Sequence, residues 1–114
     1  MTRREIIAIM RQQMPERIRT KHLIRKQKYV LLMRSYEAWA IERCIRIAQQ
    51  VPENDILDEL QKFVTSLDEY RWEDTKTRQF DVAYETVTNL IGRLCAEQIN
   101  YIFKEVEEDD YKRL

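Results

Sequence analysis

Glycine occurs once in this chain and proline twice, which removes most of the turn chemistry a β-sheet of this size requires. Hairpins draw on glycine-containing turns, above all Asn-Gly and Asp-Gly, and neither pair is present. The apolar runs Tyr29–Met33 and Val87–Ile91 would pass for strands in isolation, but nothing beside them reverses the chain. The expectation is an all-α fold.

Histidine and cysteine are equally scarce. His22 is the only histidine, and Cys44 and Cys95 are the only cysteines. Two thiols without nearby partners cannot complete a structural zinc site, which needs four nitrogen or sulfur ligands. There is no glycine-rich phosphate loop and no Ser/His/Asp set. Carboxylates are abundant but lack the paired Glu and Glu-x-x-His ladder of di-iron bundles. No metal, no cofactor and no catalytic role are expected. No run approaches the ~20 apolar residues needed to cross a bilayer. Met1–Glu5 leads into an amphipathic segment rather than the apolar core of a signal peptide. A cytoplasmic protein with two buried, reduced thiols is therefore expected.

What the chain does contain suits one helical domain spanning residues 1–114. Its 114 residues are too few for two comfortable cores. A hydrophobic fraction of 44% is enough for a packed interior, and the 35% of charged residues suits solvated outer helix faces. The net charge of zero conceals a division. Residues 1–50 carry twelve Lys/Arg against four Asp/Glu, a net of +8. Residues 51–114 carry eight against sixteen, a net of −8. No acidic residue lies between Glu16 and Glu37. Such asymmetry gives each half an electrostatic partner, and the nearest partner for one half is the other.

Thr2 and Glu5 have capping-box spacing, so a short helix starts there. It ends near Gln13, because Pro15 cannot sit in a helix interior. From Pro15 to Gln50 nothing interrupts a helical pattern, although a break near Arg34-Ser35 remains compatible with it. Pro52 and Asn54 end that helix and open the next, whose stripe is Ile56, Leu57, Leu60, Phe63, Val64, Leu67 and Tyr70. Residues 71–77 form the connection. A last helix runs from about Thr77 to Val106, with Phe80, Ala83, Tyr84, Val87, Leu90, Ile91, Leu94, Cys95 and Ile102 on its core face. The crowded acids from Glu105 to Asp110 oppose the dipole of that helix, so a frayed acidic tail is expected over about 107–114. The architecture is an antiparallel bundle of three long helices plus a short N-terminal one.

On a helix over residues 17–50, one face holds Val30, Met33, Ala40, Ile41, Cys44, Ile47, Ala48 and Val51 as core, with Arg34 and Glu37 as an ion pair on its rim. A second face is less ordinary. Arg17, Lys21, Arg25, Lys28, Tyr29, Leu32, Tyr36, Trp39, Arg43 and Arg46 follow at spacings mostly of three or four. A merely solvated face would not place Tyr29, Leu32, Tyr36 and Trp39 at its middle.

Three things would cover such a ridge. One is the rest of the monomer. Another is a protein partner, most simply a second copy, since Trp, Tyr and Arg dominate protein interfaces. The third is nucleic acid, with basic residues on phosphates and aromatics stacked on bases. A nucleic-acid-binding signature is lacking, and the pI of about 6.6 is low for a dedicated binder. Arg17 and His22, with four residues between them, resemble the Arg-x(4–6)-His motif of the HEPN helical ribonucleases, which would imply cleavage of RNA by two subunits. The resemblance covers six residues. It departs from that family in having Ile18 after the arginine and in placing the motif early in the chain.

The sequence thus points to a non-catalytic helical interaction or assembly protein, homo-oligomeric, using Arg17, Lys21, Arg25, Lys28, Tyr29, Tyr36, Trp39, Arg43 and Arg46. The alternative is a nucleic-acid-binding protein contacting phosphates through residues 17–46, with the acidic tail as internal competitor. Neither a small-molecule substrate nor a membrane is indicated.

Overall fold

A computed structural model describes the backbone of residues 1–15, 25–71 and 78–112, and their side chains except at 25, 26, 101 and 103–112. Among these residues there are four α-helices and no strand. Arg17, Lys21 and His22 of the sequence reading lie outside the described residues.

Helix α1 spans Arg3–Gln12. Thr2 caps it: the hydroxyl accepts the Glu5 amide at 3.2 Å and donates to the Glu5 carboxylate at 3.2 Å. The expected box thus closes on the hydroxyl of Thr2. The helix ends before Pro15, as the bias against α-geometry just before proline requires. Helix α2 spans Arg25–Gln50 without interruption. Ser35 is absorbed inside it, its hydroxyl donating to the Leu32 carbonyl at 2.6 Å. After Val51, Pro52 precedes a 3₁₀ turn, Glu53–Asp55, which leads directly into α3, Ile56–Arg71. Asp58 and Glu59 stand in the first turn of α3, where negative charge favours the dipole.

Helix α4 spans Gln79–Lys112. It begins just after Arg78, which has φ of 57°. That left-handed geometry costs a non-glycine residue about 1 kcal/mol. Arg78 offsets it by donating to the Tyr29 hydroxyl at 3.0 Å and approaching Asp81 at 3.7 Å. The helix also continues past the expected end at Val106. Charge opposed to the dipole costs only some tenths of a kcal/mol per residue. Glutamate is otherwise a good helix former, so the backbone ladder persists to Lys112.

The directions of the helices follow from a few contacts. Helix α3 is antiparallel to α4, since Tyr70 meets Phe80 and Arg71 reaches Asp81 at 3.8 Å. The tight turn after Val51 makes α3 antiparallel to α2 as well, so α2 and α4 run parallel. At the Val51 end, Arg3 of α1 donates to the Val51 carbonyl at 2.6 Å and its amide to the Glu53 carboxylate. At the other end of α1, Gln12 accepts from Arg93 of α4 at 2.6 Å. Helix α1 therefore closes the bundle at the level of Val51 and Arg93.

The core lies between these landmarks. Met10, Ala40, Ile41, Cys44, Ala48, Ile56, Leu60, Ala83, Val87 and Leu94 are fully buried, with Ile6, Leu67, Leu90 and Ile91 nearly so. Four expected apolar positions are not. Val30 is 43% exposed, Tyr70 50% and Ile102 52%, and Cys95 is also exposed. Tyr70 stands in the last turn of α3, where its ring meets Phe80. For the other three the reason is stagger. Trp39 and Phe80 stand at one level, so the first half of α2 extends below the start of α4, while α4 beyond Leu94 extends past α1 and the end of α2. Helical spacing places Val30 and Ile102 on core faces, but the neighbouring helices do not reach them. Gln98, on the same distal stretch, is half-exposed and needs no buried partner. The molecule measures 62 × 32 × 21 Å. Its radius of gyration of 17.5 Å exceeds the ~13 Å of a compact domain of this length.

Candidate interaction surface

The basic-aromatic ridge changes character along α2. At its upper part Trp39 belongs to the monomer. Its ring lies 6.3 Å from Phe63 at 54° and 6.3 Å from Phe80 at 81°, and Phe80 in turn lies 5.7 Å from Tyr70. Tilted and edge-on geometries of this kind match the aromatic quadrupole and stabilise by ~1 kcal/mol each beyond the area they bury. The cluster joins α2, α3 and α4. Arg43 lies over the other part of the indole, its Cζ 5.4 Å from the ring centroid, a cation–π contact.

Lower down, the ridge is uncovered. Tyr29 is 51% exposed, Leu32 45% and, beside them, Val30 43%. Tyr36 is half-buried, at the boundary. Lys28, Arg43 and Arg46 are exposed. The side chain of Arg25 lies outside the described residues, although its backbone opens α2. The structure thus brings Trp39 to the edge of the core, leaves Tyr36 half-buried outside it, and leaves Lys28, Tyr29 and Leu32 on a protruding helix. Arg34 and Glu37 are both half-buried, and among the described residues no ion pair joins them. With Arg34 in the less covered part of α2, water solvates its charge at no cost in side-chain order.

A second surface was hidden in the sequence. Glu85, Thr88, Gly92, Cys95, Ile99 and Ile102 recur at alternating spacings of three and four along α4, and all are exposed. A Cβ placed at Gly92 would meet nothing within 4 Å. The stripe is hard to see in the sequence because helical spacing places Cys95 and Ile102 on the core face beside Leu94. The alternating spacing was the available signal.

The two thiols differ as their surroundings do. Cys44 is free and buried, and loss of hydration pushes its pKa up to about 12. Cys95 is free and exposed. Elsewhere, Arg71 lies 4.0 Å from the Tyr84 ring centroid and 2.8 Å from the Asp68 carboxylate, bracing the α3–α4 corner. A shallow, open depression along α1 is lined by Arg3, Arg4, Ile7, Ala8 and Arg11. It offers positive charge but, among the described residues, no nucleophile or carboxylate. The described residues hold no cluster of three or more His, Cys, Asp or Glu suited to a metal ion. No helix among them is long and apolar enough to cross a membrane.

No protein-family model matches the chain, and no curated protein or solved structure matches it either.

Proposed function

We propose that this is a non-catalytic helical assembly protein that self-associates through the lower part of the α2 ridge. The observation that carries the reading is the exposure of Tyr29, Val30 and Leu32 on a helix that projects beyond its bundle. Scattered apolar residues on a surface need no explanation. Tyr29 and Leu32, three apart on one helix face and flanked by basic residues, form a patch of the kind proteins bury against partners. The opposed charges of residues 1–50 and 51–114 favour a second copy as that partner, because each copy then offers what the other lacks. Free thiols in both a buried and an exposed setting fit a reducing cytosol.

Nucleic acid is the weaker reading. Trp39, the best base-stacking group of the ridge, is engaged with Phe63 and Phe80. Tyr29 and the basic residues around it would have to act without it.

The test is Leu32→Ser, which leaves the Arg78–Tyr29 hydrogen bond in place, compared with the wild type by sedimentation velocity and thermal melting. The expected result is self-association weakened at least roughly tenfold, the equivalent of 1.4 kcal/mol, with the melt unchanged. A variant that associates as the wild type does would contradict the reading. Binding of labelled RNA or DNA that collapses between about 50 and 200 mM salt would favour nucleic acid instead.

A further inference from the structure

We infer that the α2 ridge of one copy lies antiparallel along the exposed α4 stripe of a second copy, in a single register that places Leu32 against Ile99. The inference rests on the self-association just proposed, and adds which surface is met and how.

Both stripes carry the alternating three-and-four spacing of a coiled-coil seam. On α2 it runs through Tyr29, Leu32, Tyr36, Trp39, Arg43 and Arg46; on α4 through Glu85, Thr88, Gly92, Cys95, Ile99 and Ile102. In a parallel pairing the basic end of α2 would meet the stretch around Cys95, where Arg93 and Glu97 cancel and no excess of acid is present. In the antiparallel pairing, charge and apolarity match together. The exposed apolar pair Tyr29 and Leu32 is followed towards the N-terminus of α2 by Lys28, Lys26 and Arg25. The exposed pair Ile99 and Ile102 is followed towards the C-terminus of α4 by the acids from Glu105 to Asp110. When one apolar pair meets the other, basic meets acidic.

The same register accounts for the rest of the seam. Tyr29 falls opposite Ile102 and Tyr36 opposite Cys95. At the position of Trp39, whose ring stays with Phe63 and Phe80 of its own chain, the partner presents Gly92, which has no side chain and open space above it, so the helices meet there without displacing the indole. Arg46 falls opposite Glu85. An antiparallel seam between two different helices is made twice in a two-fold dimer, α2 on the partner's α4 and α4 on the partner's α2.

The two stripes of one chain cannot meet each other. From the shared level of Trp39 and Phe80, Leu32 lies about 10 Å down α2 and Ile99 about 28 Å up the parallel α4, so they stand roughly 40 Å apart. A link between positions 32 and 99 therefore reports two copies.

Two variants test this, both carrying Cys95→Ser: one with Leu32→Cys, the other with Ile99→Cys. Each is treated alone and as an equimolar mixture with a short bis-maleimide, and the untreated samples are sedimented in parallel. All substituted positions are exposed, and circular dichroism confirms that each variant is folded. The expected result is a covalent dimer in the mixture and little or none in either variant alone. Covalent dimers within one variant, or none in a mixture that sediments as a dimer, would overturn the register and leave self-association standing. A wild-type chain that sediments as monomer alongside the mixture would overturn both.

Discussion

The two ends of α2 are built from similar apolar residues but have different surroundings. From Trp39 to Ala48 the helix is enclosed by α1, α3 and α4, and Ala40, Ile41, Cys44 and Ala48 have no exposed surface. From Lys28 to Leu32 it has no such cover, and Tyr29, Val30 and Leu32 are about half exposed. The same contrast divides α4 on either side of Leu94. Amphipathic periodicity specifies which way a side chain points, but the stagger of the neighbouring helices decides whether anything lies there. A stability role and an interaction role can thus occupy successive turns of one helix.

The two cysteines offer the largest contrast. Burial pushes the Cys44 pKa from its ordinary 9.0 up to about 12, which leaves almost none of it as the reactive thiolate near neutral pH. Cys95 should therefore react with a thiol reagent at pH 8 while Cys44 stays inert until the chain unfolds. Equal rates would mean that Cys44 is open to solvent. The sign of the linkage is fixed too. Because the folded pKa is raised, this contribution to stability is complete below about pH 9 and is lost as pH rises towards 12. Cys44→Ala should remove that part of the alkaline slope in denaturation measured between those limits.

Truncation in the enclosed part comes next. Ile41→Ala should destabilise by about 3 kcal/mol in urea denaturation, since it leaves a cavity where the side chain is fully buried. Gly92→Ala should have a smaller effect of opposite sign. The added methyl meets no atom of its own chain, and replacing glycine inside a helix stabilises by up to about 1 kcal/mol. If α4 packs on a second copy at this point, Gly92→Leu should instead weaken association while leaving the isolated fold intact. Smallest of all, Leu32→Ala should change folding stability by less than about 0.5 kcal/mol when measured on the monomer. A loss comparable to that of Ile41→Ala would erase the distinction between the two parts of α2.

Much of the fold could be read from local chemistry. Thr2 with Glu5, Pro15 and Pro52 act within a few residues of themselves, and each marks a helix boundary that the structure contains. The stripe on α3 as far as Leu67 and most of that on α4 follow the helical period and pack into the core or against it, while Tyr70 at the end of α3 stays half exposed. Three other failures share one cause. Val30, Cys95 and Ile102 lie on core-facing arcs, yet their burial depends on how far other helices extend, which no local pattern encodes. Trp39 shows the reverse. Its spacing places it on the outer ridge, but the size of its ring lets it reach Phe63 and Phe80 at the edge of the core. The exposed α4 stripe was masked by the same assignment that misplaced Cys95 and Ile102.

The central claim is that the uncovered ends serve self-association, and the mass of the native protein in solution tests it most directly. Sedimentation equilibrium of the wild-type chain at low ionic strength, over a range of micromolar concentrations, should give a species of twice 14.0 kDa. Added salt should shift it towards the monomer, because screening weakens the basic and acidic ends of the contact. A single species of 14.0 kDa at every concentration and salt would contradict the account.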